Sequence, residues 1–291
     1  MNRFDVAKKI GILGIVGNVF LFIIKIFVGL LSKSQAMIAD AFNSAGDVFA
    51  SLMTWIGNKI SSVPNDEDHN YGHGKAEYIF SMFISISMML VALKMLYDSI
   101  ISIILHNKVS FSWTLVIVCI VTIIVKLSLY LYTKILYKKY NNLLVKANMI
   151  DHRNDCIITT FTTIAILLTK VNIFFFDGLV GIGISIWIFI SGWQIFKESY
   201  NVLMDSSIDD ESKKTMLDII KSHKEIKRIG TLYSIPTGYK YIIVITLFID
   251  GKMTTAKSHK IADKLETEIL SKVDKVEQVI VHVEPFFSKS N

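Results

Sequence analysis

Residues 10–31 read IGILGIVGNVFLFIIKIFVGLL, 22 residues with one formal charge, Lys25. A helix rises about 1.5 Å per residue, so roughly 20 apolar residues cross the hydrocarbon core of a bilayer. The run predicts a transmembrane helix. Lys8 and Lys9 precede it, as basic residues precede a secretory signal. The apolar stretch is longer than a signal core, however, and no small-residue cleavage site follows. Five further apolar blocks lie downstream, at 36–60, 77–104, 112–136, 146–169 and 174–198. The chain is 52% hydrophobic with a mean hydropathy of +0.48, and those residues arrive in blocks rather than in the scattered amphipathic pattern of a soluble domain. The expected architecture is an α-helical membrane protein with six transmembrane helices.

The connections after the first, third and fifth blocks are short and carry Lys33, Lys108 and Lys170. The opposite side collects Arg3, Lys8, Lys9, Lys59, Lys75, Lys134, Lys138, Lys139 and Lys146. The bias of basic residues toward the cytoplasmic side places both termini there, in a multi-pass protein of the cell membrane. The net charge of +6 therefore sits between spans. No basic stripe interleaved with aromatic residues is present, so nucleic acid is excluded as a partner. Cys119 and Cys156 lie inside apolar blocks and form no CxxC pair, which leaves neither a disulfide framework nor a zinc knuckle.

Past Asp205 the composition changes, dividing the chain into a six-span membrane domain (1–205) and a charged, soluble domain (206–291). Asp209–His223 predicts a helix with Ser207 or Asp209 as its N-cap. Ile229–Ile235 and Tyr239–Phe248 predict strands around a Pro236-Thr237-Gly238 turn. Thr254–Lys272 predicts a second helix, with Ile261, Leu265 and Ile269 on its buried face, and Val279–Glu284 a last strand. The order αββαβ implies a ferredoxin-like α+β domain with helices on one face of a sheet.

Carboxylates inside apolar spans are expensive unless paired or hydrated, so each is a functional candidate. The second span holds Asp40, Asn43 and Asp47, and the fifth holds Asp151 and Asp155. Asn43 with Asp47, and Asp151 with Asp155, are each four residues apart, one turn along one helix face. Two such helices side by side would offer four oxygen ligands to a cation within the bilayer. Asp40 lies close to the same face and would support the ligands from behind. The plainer reading is that these acids pair with Lys25 or Lys126, though that does not account for the doubled spacing. His152 and Arg153 fall on other faces of the fifth span, where anchoring at the interface is the expected role.

The loop between the second and third spans runs PNDEDHNYGHGKAE over 64–77. Its acids and the two histidines, His69 and His73, are candidate ligands at the cytoplasmic mouth. Gly72-His73-Gly74-Lys75 is no phosphate loop, because the first glycine and the Ser or Thr after the lysine are missing and no strand precedes it. In the soluble domain His282 and Glu284 project from the last strand opposite Val279, Val281 and Val283. With His259 they would form a metal site, or equally a solvated sheet face. His223 has no companion and reads as a surface residue.

With these residues in place the chain resembles the cation diffusion facilitator family nearly end to end. The resemblance rests on Asn43-Ser44-Ala45-Gly46-Asp47, on Asp151-His152-Arg153-Asn154-Asp155 and on Tyr71-Gly72-His73-Gly74-Lys75-Ala76-Glu77. It implies export of a divalent metal ion for protons by alternating access, by a homodimer. It further implies a second site at Asp66, His69 and His73, and an ion pair between Lys75 and Asp205. His259, His282 and Glu284 match part of an interface metal cluster whose other positions are Gly230 and Thr246 here, so one site at most is implied there. Zinc-type members carry histidine where this chain has Asp151, and the Asn/Asp and Asp/Asp pattern is similar to that of manganese-type bacterial members.

The four oxygen donors suit a hard ion, which favours manganese, with iron(II) next and zinc or cadmium as the alternative. A metal-dependent membrane hydrolase would need a positioned base or nucleophile beside those acids, and the spans hold no such grouping. A metal sensor would need the soluble domain but not Asp47 or Asp155. Transport, not enzymatic turnover, is the function expected.

Overall fold

The computed structural model describes residues 3–31, 35–105, 112–168 and 175–287, with backbone alone described for 35–40, 42–43, 105, 165, 175–178 and 180. The short connections bearing Lys33, Lys108 and Lys170 lie outside the described residues. Six long helices come first: α1 (Arg3–Leu31), α2 (Gln35–Ser61), α3 (Ala76–Leu105), α4 (Trp113–Tyr140), α5 (Leu143–Leu168) and α6 (Phe175–Leu203). The chain divides into two compact units, Met1–Ser62 with Ala76–Tyr200, and Val63–Lys75 with Asn201–Asn291. The loop between α2 and α3 thus belongs to the second unit.

In the helical unit the usual burial order is inverted. Along α1, Val16, Phe20, Ile23, Phe27 and Leu30 are exposed at alternating spacings of four and three, while Gly14, Asn18, Leu21 and Lys25 are buried. An apolar outer face over a polar inner one suits a lipid surround and would be unfavourable in water. Among the described residues, α1, the Ala76–Ile104 stretch of α3, and α4 are long and apolar enough to cross a membrane. Small residues bring helices close: a Cβ on Gly14 would lie 2.6 Å from Ser51 Oγ, so α1 and α2 meet where only glycine fits.

The second unit continues with α7 (Asp210–Ser222), β1 (Ile226–Pro236), β2 (Tyr241–Asp250), α8 (Thr255–Lys272) and β3 (Val276–Phe286). The sheet order is β1-β2-β3, with β1 antiparallel and β3 parallel to the central β2. Met216, Ile219 and Ile220 of α7 share one core with Leu265 and Ile269 of α8 and with Ile243, Ile245 and Leu247 of β2. Both helices therefore cover the same face of a small mixed sheet. Asp209 caps α7, accepting from the Ser212 N–H at 3.0 Å and from Lys275 Nζ at 2.7 Å. Burial pushes the Asp209 carboxyl up, but the Lys275 and Ser212 donors outweigh it and hold it down at about 2. His223 is not on the surface: it is buried and paired with Glu268 at 3.0 Å, where α8 crosses the end of α7.

Candidate functional site

Asp47 of α2 and Asp155 of α5 meet at one point inside the helical unit. Lys126 of α4 is buried between them, with Nζ 2.7 Å from Asp47 Oδ2 and 2.5 Å from Asp155 Oδ2. Lone charges are not tolerated in such surroundings, and a bridging ammonium between two carboxylates satisfies both. The pairing with Lys126 that the sequence left open is therefore present. Lys25 of α1 donates to Ser44 Oγ at 3.0 Å on the adjoining turn of α2.

Asp151 lies one turn before Asp155, and its Oδ2 is buried with no hydrogen-bond partner. That orphaned acceptor is the atom of the cluster most in want of a cation or a proton. His152 is wholly buried rather than interfacial, and neither ring nitrogen finds a partner. One ligand atom each of Asp151, His152 and Asp155 lies within 4.8 Å of the others, close enough to share an ion. Arg153 points elsewhere, stacking over the Trp187 ring at 4.6 Å and donating to Ser191 Oγ at 3.2 Å. The side chains of Asp40 and Asn43 lie outside the described residues; the α2 backbone puts Asn43 one turn before Asp47.

A polar seam between α1, α2 and α5 fixes these turns. Asn18 Nδ2 donates to the Asp47 carbonyl and to Ser51 Oγ, both at 3.1 Å, and Asn148 bonds Thr54. On the other side of the carboxylates a cavity of about 40 Å³ is lined by Asp47, Asp151, Asn154 and Asp155 with Ser87, Met88 and Ile188. It has room for a water-sized guest beside the oxygens. Nearer the helix ends, the buried Glu77 accepts from Arg3 Nη2 (3.0 Å), Asn142 Nδ2 (3.1 Å) and the Leu143 N–H (2.7 Å), tying the starts of α1, α3 and α5 together.

In the second unit, Asp66, His69 and His73 are gathered within reach of one ion. Asp66 Oδ1 accepts from the His69 N–H at 2.7 Å, and its carboxylate lies 3.4 and 3.5 Å from the two imidazoles. The His69 backbone N–H, with smaller help from the imidazoles, holds the Asp66 carboxyl below its usual value. Gly72, at φ +72°, makes the turn that brings His73 back to them. A Cβ on Gly74 would lie 2.5 Å from the Thr237 carbonyl oxygen, so the loop rests on the β1–β2 hairpin. Lys75 Nζ and Asp205 Oδ1 form an ion pair at 2.8 Å.

His282 and Glu284 are neighbours on β3, 2.8 Å apart on the uncovered sheet face. His259 pairs with Asp263 along α8 at 2.9 Å, and among the described residues of one chain it joins no three-ligand group with them. Thr246 is the register partner of His282, and a Cβ on Gly230 would meet Thr246 at 3.0 Å. Thr246 thus sits directly beside His282, and Gly230 lies on β1 on the far side of Thr246.

Sequence reasoning gave Lys126 only the part of a spare counter-ion, and it did not single out Asn154 or Glu77. The signal for Lys126 was available: a lone lysine in an apolar span is a functional candidate by the same rule as a lone acid.

Residues 11–204 match the model of the cation efflux transmembrane domain, and residues 208–286 that of the cytoplasmic domain of cation efflux proteins. The manganese efflux system protein MneP of Bacillus subtilis is 28% identical over 295 residues, covering 99% of both chains. MneS, a manganese efflux system protein of the same organism, is 30% identical over 298 residues, covering 99% of this chain and all of its own. The magnetosome protein MamM of Magnetospirillum gryphiswaldense is 26% identical over 96% of this chain and 88% of its own.

Proposed function

The chain belongs to the cation efflux, or cation diffusion facilitator, family, and from that premise we propose that it exports manganese(II) from the cytoplasm in exchange for protons. The observation that carries the reading is the meeting of Asp47, Asp151 and Asp155 inside the helical unit, with one carboxylate oxygen orphaned. Three carboxylates and the Asn43 amide would form an all-oxygen site, suited to a hard ion. The names of MneP and MneS support manganese. His152, buried beside Asp151 and Asp155, favours a second reading in which iron(II) or zinc is also carried.

Six spans with both termini cytoplasmic fit this work, α2 and α5 being the less apolar helices because they carry the ligands. Residues 1–205 would form the transport domain and 206–291 a cytoplasmic domain that joins two copies into a homodimer. Asp66, His69 and His73 would hold metal at the cytoplasmic mouth, and Lys75, two residues beyond His73, would lock to Asp205 as an ion pair. Crowded acids retain protons until a cation displaces them, which couples the two fluxes.

The test is uptake by proteoliposomes holding the purified protein, with a panel of manganese, iron(II), zinc and cadmium and a pH-sensitive dye inside. Manganese should move and protons should counter-move. Metal flux indifferent to collapse of the proton gradient would remove the antiport, and zinc flux without manganese flux would remove the ion assignment.

A further inference from the structure

We propose that Lys126 is a tethered competitor of the transported ion: its ammonium takes the place of the metal on Asp47 and Asp155, and allows the carrier to reorient once the metal has left. The inference rests on the transport-site reading above. Its own observation is geometric. Lys126 Nζ lies 2.7 and 2.5 Å from the two carboxylate oxygens that the ion would need, on a side chain buried to 1% exposure. A metal drawn to the same two oxygens would stand next to the ammonium, and the two cations would repel each other. Metal binding at these acids therefore requires Lys126 to give up its contact with them.

Two consequences follow from the charges. A divalent ion offers the two acids twice the charge of the ammonium, whereas a monovalent ion offers no more than Lys126 already supplies. The tethered lysine thus sets a threshold that sodium and potassium do not pass. Once the metal leaves, two bare carboxylates would face each other in a low-dielectric interior, and the returning ammonium relieves that repulsion. The carrier without metal then reorients with one net negative charge on these three groups instead of two on the bare acids. Lys25 donates to Ser44 Oγ one helix away and lies among the helices of the same site, so the change at Lys126 is read against a constant second cation.

The full-length protein carrying Lys126→Met separates this role from a structural one. Manganese binding, measured by calorimetry in detergent at mildly alkaline pH, should tighten about tenfold or more once the competitor is gone. In proteoliposomes, manganese–manganese exchange needs no cargo-free return and should persist, while net efflux down a proton gradient should fall by about tenfold or more. Lys126→Arg, which keeps the charge, should recover net efflux. If Lys126→Met does not reach the membrane, Lys126→Gln keeps an N–H donor without charge and is read by the same criteria. Unchanged or weaker manganese binding by the neutral variant overturns the proposal, as does unchanged net efflux. Asp155→Ala is run alongside: wild-type metal affinity in that protein would discard the site reading itself, a result distinct from the failure of Lys126 alone.

Discussion

At the scale of single residues the site is a problem of charge in a place that resists it. Asp47 and Asp155 reach the bridging Lys126 from separate helices, and Asp151 keeps an oxygen with no partner. Replacing Asp47 or Asp155 with Ala should abolish metal flux in proteoliposomes while gel filtration still shows a folded protein, and full flux in either variant would refute the assignment. Asp151→His places imidazole where the orphaned carboxylate oxygen lies, so it should shift the ion preference toward zinc, measured as the ratio of zinc to manganese uptake. An unchanged ratio would show that ligand type does not set selectivity. The acids were legible because i,i+4 pairs within each helix are visible in one dimension. Lys126 was not, since spacing within α4 says nothing about which residues face it across the bundle. His152 was misplaced for a related reason: near the middle of α5 several faces are buried against other helices, so a helix wheel does not find the lipid side.

At the scale of elements, the second unit followed its pattern closely, down to Asp209 as the cap of α7 and the Leu265–Ile269 face of α8. Alternating strands and a four-residue repeat suffice where one face is wet and the other dry. The same logic does not reveal that the Pro64–Lys75 loop joins this unit, because that contact depends on Gly74 resting against Thr237 and Gly238, far apart in sequence. The Asp209 cap makes a testable statement about pH. Its carboxyl titrates at about 2 in the folded domain against an ordinary value of 3.8, so the folded state binds the proton less readily than the unfolded one. The stability it lends is fully present above the ordinary value and is lost as pH falls through about 2. Thermal melts of the protein should show part of their acid sensitivity between those limits, and Asp209→Asn should flatten it. A variant that keeps the whole acid slope would place the sensitivity elsewhere.

At the scale of the whole molecule, the sheet face opposite the helices carries exposed apolar side chains among the described residues of the second unit. Tyr233, Val244 and Ile280 are register partners across all three strands on that face, and Tyr233 and Ile280 are exposed. Arg228 stacks on Phe248 at 3.9 Å two rows further on, beside Glu284. A row of aromatic and aliphatic side chains with a charged edge is the composition of a protein interface, and a second copy of the same face would supply the self-complementary partner of a two-fold dimer. Metal would add little to such a dimer. Two positions of the expected cluster are Gly230 and Thr246, which present no ligand atom suited to the task, and His282 already has Glu284 as its partner at 2.8 Å. The domain has its own core, joining α7, α8 and the sheet, so residues 206–291 should fold alone. They should then sediment as a dimer in the presence of a chelator, since burial of roughly 800 Å² per partner, mostly apolar, suffices for a stable association. Tyr233→Asp should make the domain monomeric without lowering its helix content, by placing a charge at one end of the exposed apolar row. A domain that stays monomeric until metal is added, and dimerises with His282 required, would show instead that the remaining ligands from two copies complete a site across the interface.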